Sequence, residues 1–171
     1  MDDRIDALLA DVEAAGTAAD RHARRGEFGD ELAAQAAERT LLERLRAAVG
    51  QAVQVTLPTG EISGTMDFLG RGIVVVTGAE TSVIAIDRIC GLRLATRMHR
   101  FEAGGLERLG MGSALRRLAA EHAEVSIEVS GSSGPLRGRC ELVGADYVEI
   151  AGRIVPFAAI SAVRARINPF G

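Results

Sequence analysis

The chain has 171 residues, 47% of them hydrophobic but only 4% aromatic, so it can fill cores of its own and must fill them with Val, Ile, Leu and Ala. Its net charge of −3 argues against a general polyanion binder, because such proteins carry a basic excess. Every one of its 20 basic residues is Arg. Guanidinium recognition of phosphate or carboxylate is one reading of that bias; a GC-rich genome, which favours Arg and Ala codons together, is the plainer one.

Residues 1–49 read as an acidic, Ala-rich helical segment. Ile5, Leu8, Leu9 and Val12 fall at i, i+3, i+4 and i+7, the stripe of an amphipathic helix. Gly26 to Gly29 interrupts the pattern, and Asp30 is placed to cap a second helix that carries Leu32, Leu41, Leu42 and Leu45 and stops at Gly50. A single helix kinked at those glycines fits as well. The segment holds 11 acidic and 7 basic residues, net −4, against +1 for residues 50–171. Asp2 and Asp3 stand where a signal peptide would be basic, and no apolar run approaches the ~18 residues of a membrane span. A cytoplasmic protein is the expectation.

From Val53 the period changes to two. Val53, Val55 and Leu57 alternate with Gln54 and Thr56 as in a half-buried strand. Further strands are predicted at 62–68, 73–77, 83–86 and 89–94, separated by Pro-Thr-Gly, Gly-Arg-Gly and Ala-Glu-Thr turns. A basic linker follows over 96–112. Ser113 is then a candidate N-cap for a short helix to about His122, and strands are predicted at 125–129, 136–143, 147–150, 154–157 and 160–166.

The second series repeats the first. GEISGTMDFLGRGIVVV (60–76) aligns without a gap on GPLRGRCELVGADYVEI (134–150), with Gly64 on Gly138, Met66 on Cys140, Asp67 on Glu141 and Phe68 on Leu142. After a turn three residues shorter in the second copy, Ile84 falls on Val155, Ile89 on Ile160 and Leu92 on Val163. A repeat fixes architecture before any single residue is interpreted. Gly64 and Gly138 inside strands mark sharp bends or close backbone approaches.

A helix, five strands and a bent Gly in the second strand resemble the Sm-like fold of Sm proteins and of the RNA chaperone Hfq. The likeness covers about 41–94 and 113–166. The whole chain is also similar to a widespread group of actinobacterial proteins, through GMGSALRRLA (110–119) and VPFAAISAV (155–163). The resemblance implies a mainly β fold with helices, an α+β arrangement. A helical segment would precede two Sm-like five-stranded bent antiparallel barrels, each preceded by a helix: a first barrel over 50–95, a basic linker over 96–112, and a second helix plus barrel over 113–171. It also implies RNA as a ligand, with Arg88 at the position of the family's late basic residue. The base-reading Asn of that pattern is missing, since the only Asn is Asn168.

Candidate chemistry is sparse. His22, His99 and His122 lack a carboxylate or Cys neighbour at metal-ligand spacing. Cys90 and Cys140 form no metal motif and read as buried, reduced thiols. Gly131-Ser-Ser-Gly134 lies between strands and reads as a hairpin turn, not a nucleophile elbow. Gly110-x-Gly112 before a helix is a weak anion cradle or simply a sharp linker. One stretch is locally basic: 92–117 holds six Arg and two Glu. Arg97, His99, Arg100, Arg116 and Arg117, with Arg88, are therefore the candidate nucleic-acid contacts. The expectation is a non-enzymatic binding module without cofactor or metal, a nucleic-acid-associated and RNA-linked regulator. The alternative is a protein-interaction or assembly scaffold that uses barrel edges and the N-terminal helices, its partner being itself or another protein. No membrane partner is expected.

Overall fold

The computed structural model describes residues 40–98, 100 and 105–171. The stripe of Ile5 to Val12, the cap at Asp30, and His22 and His99 lie outside the described residues. Two helices are described: α1 (Leu41–Ala48) and α2 (Met111–Ala120). In α1, Glu43 in the first turn and Arg46 in the last match the helix dipole, and Leu45 and Ala48 face inward. In α2, Met111, Ala114, Leu115 and Leu118 recur at helical spacing and are buried. Gly110 stands at its N-cap and no side chain caps it, so Ser113 lies inside the helix and does not cap it.

Each of the two helices is followed in the chain by five strands. The first half has β1 (Ala52–Leu57), β2 (Gly60–Gly70), β3 (Ile73–Thr77), β4 (Thr81–Ala85) and β5 (Gly91–Leu94). The second has β6 (Glu124–Val129), β7 (Leu136–Val143), β8 (Tyr147–Ile150), β9 (Arg153–Pro156) and β10 (Ile160–Ala165). All ten belong to one sheet, in the order β5-β1-β2-β3-β4-β10-β6-β7-β8-β9. The expected pair of separate five-stranded Sm-like barrels is therefore incorrect. The reason is the central joint. Neither half closes on itself: β4 pairs with β10, antiparallel, with Ile84 opposite Ala162, Val83 opposite Val163, Ser82 opposite Arg164 and Thr81 opposite Ala165. The sheet stays open, and β5 and β9 are its ends.

The sequence repeat is visible inside this single sheet. Each half has the same internal order of strands, and both carry a bulge at the same place, between Met66 and Phe68 on β2 and between Cys140 and Leu142 on β7. The extra residues are Asp67 and Glu141, the acidic pair of the alignment; a bulge bends its strand and raises the local twist. Gly64 is required by close approach, because a Cβ there would collide with the Thr77 carbonyl oxygen.

The joint also organises the core. Ile73 and Val75 of β3 belong to one buried cluster with α2 and the second half, while Val74 and Val76 belong to another with α1, β1 and β2. This explains why β3 is apolar on both faces. Such a strand has packed layers above and below it. Beside the joint, buried Glu128 of β6 pairs with Arg164 of β10 (2.6 Å) and accepts a hydrogen bond from Thr59 of the first half. Arg46 of α1 grips Glu107 through two nitrogens at 3.0–3.2 Å, and that hydrogen bonding raises the guanidinium's pKa.

Candidate functional site

The basic residues singled out by sequence have different surroundings. Arg88, half-buried, donates to the Ala158 carbonyl and lies 3.6 Å from Asp87. Arg116 donates to the Gly144 carbonyl at 3.1 Å. Arg117 donates to Pro169 at 2.8 Å and stacks its guanidinium 5.2 Å from the Phe170 ring, which itself stacks on Phe68. Arg88 thus ties one turn to another, and Arg116 and Arg117 tie α2 to segments outside the strands. Arg97 and Arg100 are exposed. The Arg100 backbone N–H bonds the Glu43 carbonyl, and Arg44 donates to the carbonyls of Thr96 and Met98, which lays this stretch beside α1.

Other expectations resolve locally. Gly112 is explained by contact: a Cβ there would stand 2.9 Å from the Phe157 ring. The Gly131–Gly134 segment is a turn closed by Ser132 Oγ donating to the Gly134 carbonyl at 2.9 Å. His122 is exposed, and among the described residues no group of three or more His, Cys, Asp or Glu could hold a metal ion. Cys140 is half-buried, and burial pushes its thiol pKa up. Cys90 is exposed, contrary to the expectation of two buried thiols; it directly precedes β5, an end strand of the sheet. No described helix is long and apolar enough to cross a membrane.

Two surface features were missed. The first is a groove at the joint, about 730 Å³, that brings Arg137 and Arg139 of β7 together with Arg164 and Arg166. Glu80, Glu121, Glu124 and Glu128 line the same groove, so its charge is balanced. Its signal was the two Arg-x-Arg pairs, which alternate onto one face of a strand.

The second is the pair of sheet ends. Among the described residues, strands β5 and β9 each have a neighbour on one side only, β1 and β8 respectively, so each leaves a row of main-chain groups without a strand partner there. On β9 itself Ile154 is 68% exposed; Leu142, in the same cross-strand row two strands in on β7 with Glu149 of β8 between them, is 47% exposed. At the other end of the sheet's first half, Leu41 and Leu42 of α1 are 50% and 37% exposed. Large apolar side chains grouped on a surface mark an interaction site more often than scattered ones. Compared with known proteins, the chain matches no family model and no curated sequence.

Proposed function

We propose that this protein is a non-enzymatic protein-interaction module that works by strand addition at the two ends of its sheet. The observation that carries this reading is the coincidence, at β9, of an open strand edge with the large exposed apolar side chain of Ile154. Main-chain pairing supplies affinity in such docking, and side-chain pockets beside the edge supply specificity. The test is binding by the full chain and by Ile154→Lys, which sits on a solvent-facing position. Wild type retains a protein partner, its own copies included, and the variant loses it while keeping the same far-ultraviolet circular dichroism. Equal retention by the two proteins, or none by either, overturns the reading.

A nucleic-acid reading rests on a different observation, the four arginines of the joint groove. It predicts RNA binding that weakens steeply with salt and is lost in an Arg137→Ala, Arg139→Ala, Arg166→Ala triple variant. No mobility shift of RNA or DNA at low salt removes it. The balanced carboxylates of the groove and the carbonyl-bonded Arg88, Arg116 and Arg117 make it the second choice.

A further inference from the structure

The chain contains one finished interface and the two unfinished halves of another like it. In the finished one, β10 adds to β4 while α2 covers the outer face of β3 and β4, burying Ile73, Val75, Val83 and Ala85 in a cluster with Ala114 and Leu115. The repeat carries each element of this joint to an end of the sheet. β4 corresponds to β9, with Val83 on Ile154 and Ile84 on Val155; β10 corresponds to β5, with Val163 on Leu92 and Arg164 on Arg93. The helices correspond too: Thr40-Leu-Leu-Glu-Arg-Leu45 lies on Ser113-Ala-Leu-Arg-Arg-Leu118. Ala114 and Leu115, fully buried in α2, thus have Leu41 and Leu42 as counterparts in α1, 50% and 37% exposed.

We infer that a second copy of this chain docks on β9, with its β5 pairing to that strand and its α1 covering the face of β8 and β9, in the arrangement that β10 and α2 use on β4 within one chain. This rests on the strand-addition reading and names the partner. Transferring the internal register places Leu92 of one copy opposite Ile154 of the next, Gly91 opposite Val155 and Arg93 opposite Arg153. Pro156, which has no N–H to give, corresponds to Ala85, and Ala85 lies just outside the paired residues of the internal joint, so the proline costs no bond. The contact is heterologous, β5 to β9, so each copy keeps one free end for the next. Assembly continues into a ring if the rotation closes and a filament if it does not. Two arginines face each other in this register. Like charges directly opposite destabilise a strand pair, so association tightens as salt screens them.

The experiment uses the full chain with Cys90→Ser, so that the exposed native thiol does not interfere. Sedimentation or light scattering is expected to give a mass above the 18.0 kDa of one chain, rising with concentration and with salt. Adding Arg93→Cys and Arg153→Cys places two thiols on directly opposed residues, whose Cα atoms lie about 4.5–5.5 Å apart in an antiparallel pair and so within disulfide reach. Oxidation then yields a ladder of cross-linked species. Arg93→Cys with Ile154→Cys, whose side chains point to opposite faces, yields none. Arg153→Glu turns the repulsive pair into an attractive one and tightens association about threefold or more, a gain that misfolding cannot imitate. Cross-linking by Arg153→Cys alone reveals a symmetric β9–β9 dimer and overturns the inference. A one-chain mass at every concentration also overturns it. If that mass is accompanied by capture of a different protein that Ile154→Lys abolishes, strand addition stands and only the self-docking falls; if it is not, both fall.

Discussion

Phe68, Ile73, Val75, Val83 and Ala85 of the first half are all buried, whereas their counterparts Leu142, Tyr147, Glu149, Ile154 and Pro156 in the second range from half-buried to 68% exposed for Ile154. The inner faces do not differ in this way: Val74, Val76 and Ile84 are buried, and so are Val148, Ile150 and Val155. Each half therefore builds its own inner layer from the shared pattern. The outer layer is supplied from elsewhere, by α2 and the second half for the first half, and by nothing described for the second. What a residue contributes depends on whether something stacks on its strand, and equivalent positions in a repeat need not be equivalent in energy.

Matched substitutions test that contrast. Phe68→Ala removes a ring buried in the core and stacked on Phe170, and is expected to cost about 3–5 kcal/mol in chemical denaturation. Leu142→Ala, at the same place in the repeat, is expected to stay within about 0.5 kcal/mol of wild type. Equal losses break the comparison. On the helices, Leu115→Ala is expected to cost about 2–5 kcal/mol. Leu42→Ala is expected to cost less than about 1 kcal/mol when measured at concentrations too low for association.

Arg164 and Arg93 make a smaller test. Arg164→Ala leaves the buried Glu128 carboxylate with Thr59 as its remaining partner, an expected loss of about 1–3 kcal/mol after allowing for the partial exposure of the arginine. Arg93→Ala, exposed at the end strand, is expected to change stability by less than about 0.5 kcal/mol. The smallest effect is kinetic. Iodoacetamide is expected to alkylate exposed Cys90 well before half-buried Cys140. Because burial raises the Cys140 pKa, its thiolate fraction at pH 8 is below that of a free cysteine, and its rate keeps climbing as pH rises further. A Cys140 that reacts as fast as Cys90 contradicts the packing of β7.

Strand positions were largely legible in the sequence. β3 and β8 fall at the expected residues, 73–77 and 147–150, because period-two runs bounded by glycine turns carry a local signal. The partner of β4 was not legible. An end strand offers the same N–H and C=O groups whether it closes on β5 of its own half or joins β10 of the other, and no residue type encodes that choice. The surroundings of the candidate contacts were not legible for a related reason. Counting arginines along 92–117 could not reveal that Arg116 and Arg117 have carbonyl acceptors 28 and 52 residues away, as Arg88 has one 70 residues away. The joint groove escaped because its arginines are far apart in sequence and meet only through β6, which lies between β7 and β10.

The double burial of β3 has a thermodynamic consequence. Its odd residues are held by one core and its even residues by the other, so melting either half exposes a face of the same strand and withdraws support from its neighbour. Cooperativity is built into five residues. The halves are expected to unfold together in one transition, seen as coincident melting by two probes, and a fragment of the first half alone keeps β3 but loses the cover of Ile73 and Val75. Two stretches of similar sequence thus meet in a strand that neither core holds alone.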